Sequence, residues 1–235
     1  MENRKYDQYE LVIEVLNRLN ASGVLKYLIF IGSWCLPLYR DYFGDDEPLP
    51  AIRTRDMDFL IPEPPKIHDM CDVPALIRDL GFVVTFRGQH GLIRLEHPDL
   101  MIEFLVPERG KGSDRPLAIP QLKVNAERLR FLSLLEQKTI RIATSGLSVV
   151  LPHPANFALQ KLLICSRRRD SGKKQKDRDA ATAILHALIR KDEKMTVIKV
   201  FRSLPLKWQK KILLELEESM ESDLRDILST TSTTE

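Results

Sequence analysis

No stretch of this chain is apolar for the ~18–20 residues that a membrane span requires. The opening MENRKYDQYELV is too charged to form the apolar core of a secretory leader. Cysteine is scarce. Cys35, Cys71 and Cys165 are widely spaced, odd in number and form no CxxC pair, which argues against a disulfide framework or a zinc knuckle and for reduced thiols. His68, His90, His97, His153 and His186 lack the HxxxH spacing of a metal-binding helix. Neither a GxSxG nucleophile elbow nor a GxxxxGK[ST] phosphate loop occurs. These absences leave a chain with no membrane partner, and a cytoplasmic location is the expectation.

What is present suits a folded protein. Of 235 residues, 43% are hydrophobic and 29% charged, enough for one or two domains with a real core. The net charge of +3 is unevenly spread. Residues 152–235 hold 17 Lys and Arg against 12 Asp and Glu, and residues 1–151 hold 19 against 21. Between Lys161 and Arg178 eight basic residues face two acidic ones, a run that attracts phosphates unless it is simply a solvated helix end.

Hydrophobic periodicity divides the chain. Tyr9, Val12, Ile13, Leu16 and Leu19 recur at helical spacing, and Gly23 offers a left-handed stop. Leu28–Ile31 reads as a buried strand, followed by Gly32-Ser33, a helical stretch from Trp34 to Tyr42 and an acidic, proline-rich loop over 43–50. Met57–Ile61 is a second strand. A helix over 73–80, strands over 82–86, 92–96 and 100–106, a polar loop over 109–115 and a hairpin over 139–151 follow. Asn125–Glu136 is ambiguous, with helix favoured for its second half. From Pro152 onward helical periodicity dominates: 155–168, 176–190, 197–203 and 207–228, with a frayed tail. The expected fold class is α+β, with a mixed-sheet α/β domain over 1–151 and a helical domain over 152–235.

Three short pieces carry chemistry. In Arg53-Thr-Arg-Asp56-Met-Asp58-Phe-Leu-Ile the two aspartates are two apart in a strand, so both carboxylates project from one face. Such a pair repels itself unless a cation lies between, and hard oxygen ligands suit Mg²⁺. Arg53 and Arg55 are the competing partners. Gly32-Ser33 ends a strand, where glycine lets the backbone approach a phosphate and the Ser33 hydroxyl can donate to one. Glu103 is a lone acid in the apolar strand Leu100–Val106 and needs a partner, either a metal ion or Arg94.

The order of these pieces, strand–Gly32-Ser33–helix, then Asp56 and Asp58, then Glu103, resembles the nucleotidyltransferase superfamily with the DNA polymerase β-like fold. Within it, GSWCLPLY (32–39) followed by RTRDMDFLI (53–61) is similar to the bacterial GSLxxY type. Two departures stand out: 22 residues separate Ser33 from Asp56, and Trp34 and Cys35 replace the usual leucine and its neighbour. The resemblance implies Mg²⁺-dependent transfer of a nucleotidyl group from an NTP to an acceptor hydroxyl on an RNA end, a protein or a small molecule. It implies Asp56, Asp58 and Glu103 as metal-binding and catalytic residues, and Gly32, Ser33 and Lys161 as nucleotide-binding residues. For Lys161 the alternative is a surface lysine with a buried stem. The alternative for the whole chain is a non-catalytic nucleotide- or partner-binding module of the same fold. The acceptor, the base of the NTP, the oligomeric state and membership of a toxin–antitoxin pair are left open.

Overall fold

The computed structural model describes residues 7–44, 47–51, 54–110, 112–113 and 115–230. Arg53, proposed above as a partner of the aspartates, and the tail over 231–235 lie outside them. The fold is α+β, built on a mixed sheet.

The chain forms two compact units, Met1–Leu38 with Ile52–Pro152, and Tyr39–Ala51 with His153–Glu235. The first begins with α1 (Gln8–Ala21). Asp7 caps it by accepting from the Glu10 amide at 2.8 Å, while the Glu10 side chain accepts from the Asp7 amide at 3.1 Å, a reciprocal capping box. Leu11, Val12, Val15, Leu16 and Leu19 form its buried stripe, and Gly23, at φ +78°, turns the chain out of the helix.

The sheet comprises β1 (Ile29–Ile31), β2 (Asp56–Leu60), β3 (Val83–Arg87), β4 (Leu92–Glu96), β5 (Met101–Pro107), β6 (Leu117–Ile119) and β7 (Val124–Leu129). Its main order is β1-β2-β5-β4-β3, with β7 joined to β5 and β6 to β7. β2 runs parallel to β5 and antiparallel to β1. Between them lie α2 (Cys35–Leu38), α3 (Arg40–Phe43) and α4 (Val73–Leu76), with Asp72 capping α4 through the Ala75 amide at 3.0 Å. The single helix expected over Trp34–Tyr42 is thus two short ones, separated at Tyr39 where the chain passes from one unit to the other. Residues 124–129 form a strand, and α5 (Ser133–Gln137) is confined to the end of the ambiguous segment. The hairpin β8 (Thr139–Thr144) and β9 (Leu147–Pro152) completes this unit.

Two hydrophobic layers fix the sheet. On one side Phe30, Phe59 and Phe104, neighbours in register on β1, β2 and β5, stack with ring centroids 5.3 and 5.7 Å apart. On the other side Ile29, Ile31, Leu60 and Leu105 are covered by Leu132 and Leu135, with Val150 of β9 packed against them.

The helical unit is organised around α6 (Pro154–Cys165), which is buried on nearly all sides and packs against α7 (Ser171–Arg190), α8 (Lys194–Ser203) and α9 (Leu206–Glu218). α10 (Ser222–Ser229) packs on α8 and α9. The expected helix over 207–228 is therefore broken in two at residues 219–221. α7 starts at Ser171 rather than Lys176 because Asp170 caps it, accepting from the Lys173 amide at 2.8 Å. Segment 39–51, which the sequence places with the α/β domain, belongs here: Tyr39 is fully buried with its ring edge-on to Phe157, and the Tyr42 hydroxyl donates to Glu193 Oε1 at 2.6 Å. Glu47 is ion-paired to Arg190. Cys35 and Cys165 are buried, Cys71 is half-buried, and none of the three is in a disulfide.

Candidate active site

One register row defines the site. Ile31 on β1 pairs with Asp58 on β2, and Asp58 pairs with Glu103 on β5. This row lies one residue along from Phe30–Phe59–Phe104, so strand alternation turns the aromatics into the core and Asp58 and Glu103 to the opposite face. Asp56, two residues before Asp58, shares that face, and all three acids are half-buried.

Gly32 follows β1 directly and closes the row. Its φ is +78°, and a β-carbon built on it would stand 2.5 Å from Asp58 Oδ2. Only a residue without a side chain satisfies both conditions. The structure thus brings Gly32, Asp58 and Glu103 together, with Asp56 near enough for its charge to act on Glu103. Ser33 is half-buried next to Gly32. Beyond it, Trp34 is buried, and its indole N–H meets no acceptor among the described residues.

Glu103 is ion-paired to Arg94 of β4, and both side chains are largely buried. The contact joins Arg94 Nε to Glu103 Oε1. Burial pushes the Glu103 carboxyl above the ordinary glutamate range; Arg94 opposes this, while the charges of Glu127 and Asp56 add to it. No sequence motif marks Glu127. β7 carries it to the same face, at the register position beside Leu105. Its signal was there in the alternation Val124-Asn-Ala-Glu127, apolar residues in and polar residues out. Glu127 also lines a cavity of about 410 Å³ with Arg87, His90, Leu92, Glu108 and Arg115.

Among the described residues no three His, Cys, Asp or Glu side chains converge tightly enough to hold a metal ion. The donor chemistry nonetheless fits a divalent cation at Asp56 and Asp58, two carboxylates on one face. Glu103 would join them only by parting from Arg94.

Lys161 lies in the helical unit. It is 5% exposed, donates to Asp177 Oδ1 at 2.6 Å and stands 5.1 Å above the Phe157 ring. It is an interior lysine, not a snorkelling surface one. Arg168 Nε shares Asp177 at 2.8 Å. Arg178 and Lys174 pair with the buried Glu215 and with Glu218. Much of the basic run over 161–178 is thus balanced within its own unit, partly by Glu215 and Glu218, acids about 40 residues further along that the local count of charges did not include.

The mixed sheet, with Asp58 and Glu103 in one register row beside the Gly32-Ser33 turn, has the order of parts on which the resemblance to nucleotidyltransferases rests. The model of a family described as nucleotidyltransferase matches residues 10–204, and the chain belongs to that family; it is a nucleotidyltransferase. No curated protein matches. Among solved structures, an antigenic nucleotidyltransferase-like protein from Paracoccidioides brasiliensis is 15% identical, with a TM-score of 0.47, covering 94% of this chain and 92% of its own. The antibiotic-resistance factor ANT(2'')-Ia is similar at 11% identity and a TM-score of 0.42, over 82% of this chain and 95% of its own. Its complex with adenylyl-2''-tobramycin gives 10% and 0.40, over 94% and 95%. Among the described residues no helix is long and apolar enough to cross a membrane.

Proposed function

We propose that the chain transfers a nucleotidyl group from an NTP to an acceptor hydroxyl at the Asp56–Asp58–Glu103 row, with Mg²⁺ as cofactor. The observation that supports this most is Asp58, seated against the Gly32 backbone and in register with Glu103. Mg²⁺ held by Asp56 and Asp58 would supply charge neutralisation on the triphosphate and a lower pKa for the acceptor hydroxyl. Gly32 keeps the backbone open at that edge, and the Ser33 hydroxyl donates to a phosphate oxygen. The acceptor oxygen attacks the α-phosphorus, pyrophosphate departs, and the hydroxyl proton passes to the Glu103 carboxylate. Burial makes Glu103 a stronger base than an exposed glutamate, which suits it to that role.

For Lys161 the proposal is narrower. Its charge is balanced by Asp177, so a contribution to NTP binding would show as a raised KM on substitution, separable from lost stability. The acceptor is a hydroxyl of an RNA end, a protein or a small molecule; the pairing of Lys161, Arg168, Lys174 and Arg178 removes the local reason to favour RNA.

The experiment is Mg²⁺-dependent release of pyrophosphate and incorporation of α-labelled NTP, each of the four NTPs in turn, by the wild type, Asp56→Asn and Asp58→Asn. Each substitution is expected to lower the rate by about 10²-fold or more with unchanged melting. Full activity in either variant would overturn the assignment and favour a binding module.

A further inference from the structure

β3 is the last strand of the sheet, and nothing among the described residues covers it: Val83 is 59% exposed, Val84 42% and Phe86 71%. Bare edges of this kind are normally blunted by lysine, proline or a bulge, because unpaired backbone groups recruit another strand. β3 has none of these within Val83-Val-Thr-Phe-Arg87.

Which backbone groups face outward follows from the ladder with β4. The partners are Val83↔Glu96, Val84↔Leu95, Thr85↔Arg94, Phe86↔Ile93 and Arg87↔Leu92. The Ile93 amide donates to Asn125 Oδ1 at 2.7 Å, away from β3, so Phe86↔Ile93 is a non-bonded pair. In an antiparallel ladder bonded and non-bonded pairs alternate. Val83, Thr85 and Arg87 therefore bond inward to β4, and the N–H and C=O of Val84 and Phe86 point to the open edge.

We propose that a second copy of this chain adds its own β3 to this edge, antiparallel and two-fold symmetric about Thr85. The symmetry places Val84 opposite Phe86 of the second copy, twice, which matches outward donor with outward acceptor in four hydrogen bonds. It also forms two aromatic–β-branched pairs from exposed apolar side chains, and a central Thr85–Thr85 pair, each a favourable cross-strand combination. Charge agrees with this register. Arg87 falls opposite Val83 of the second copy, whose ladder neighbour is Glu96 on the same face. Neither Arg87 nor Glu96 has an ion pair among the described residues, and two strand spacings of ~4.8 Å lie within the joint reach of these side chains. The interface is isologous and closes on itself, as a soluble dimer requires. β4 and β5 separate the join from the strand that carries Asp56 and Asp58.

The test is the mass of the purified full chain by light scattering, with two edge variants and a register probe. The wild type is expected at twice 27.1 kDa. Val84→Pro removes one outward donor without touching the β4 ladder, and Phe86→Lys sets a charge on the edge; both are expected at 27.1 kDa with unchanged circular dichroism. In a Cys71→Ser background, Thr85→Cys is expected to oxidise to a covalent dimer and Val83→Cys to stay uncrosslinked. A monomeric wild type, one that captures extended peptides along this edge instead, variants that remain dimeric, or crosslinking at position 83 in place of 85 would each overturn the proposal. None of these outcomes depends on nucleotidyl transfer.

Discussion

A β-carbon at Gly32 would stand 2.5 Å from Oδ2 of Asp58, so the turn after β1 leaves the carboxylate on β2 its place only while residue 32 has no side chain. Gly32→Ala therefore meets two penalties. The left-handed backbone costs a non-glycine residue about 1–2 kcal/mol, and the methyl displaces Asp58. The expected result is a small loss of stability by urea unfolding and a fall in nucleotidyl transfer of about 10²-fold, as befits a misplaced catalytic group. Normal turnover in a folded Gly32→Ala protein would show that the Asp58 position seen here is unimportant to the reaction.

Glu103 carries a testable acid–base signature. Its carboxyl is raised by burial first, and further by Glu127 and Asp56, against the pull of Arg94. Glu127→Gln removes a negative neighbour and should lower the Glu103 pKa; Arg94→Gln removes a positive one and should raise it. An acid whose native pKa is raised contributes stability that is fully present below its unfolded value and is lost as pH climbs through the native value. Glu127→Gln should shrink that loss. Carboxyl NMR titration of the metal-free protein reads the shift directly, and a move of Glu103 upward on Glu127→Gln would contradict the arrangement.

The Lys161–Asp177 pair predicts a difference between single and double substitutions. Both side chains are buried, at 5% and 6% exposure. Asp177→Leu strands the Lys161 ammonium inside the helical unit and should cost about 3–5 kcal/mol. Lys161→Met with Asp177→Leu removes both charges and should cost much less than the two single changes added together. Chemical denaturation of the four proteins measures the coupling. The same set separates roles for Lys161: if a folded Lys161→Met protein keeps the wild-type KM for NTP, the lysine serves the helical core alone.

Much was readable before any coordinates. The α+β class, the helical C-terminal part and the positions of β2, β4 and β5 follow from periodicities that local geometry imposes, two for strands and 3.6 for helices. The same arithmetic put Asp56 and Asp58 on one face. It could not put Glu103 beside them, because that depends on β5 pairing parallel to β2 in one particular register, a contact between residues 45 apart in the chain. Nor could it separate metal from guanidinium as the partner of Glu103, since Arg94 reaches it only through the antiparallel pairing of β4. Segment 124–129 is ambiguous in the sequence for a related reason: a half-polar alternation becomes a strand only when a neighbour such as β5 supplies its backbone partners.

The amino-acid sequence by itself determined which faces are apolar, which parts of the chain are helical, and that a glycine, a serine and three acids stand in an order that resembles nucleotidyltransferases. These are local matters, settled by side-chain size, charge and spacing along one chain. Tertiary structure alone decided that Lys161 is an interior partner of Asp177, that Glu127 joins the acidic face, and that segment 39–51 packs with the helices. Each of those outcomes depends on groups distant in sequence sharing a low-dielectric interior or a ladder of hydrogen bonds, and no local pattern records which distant group arrives.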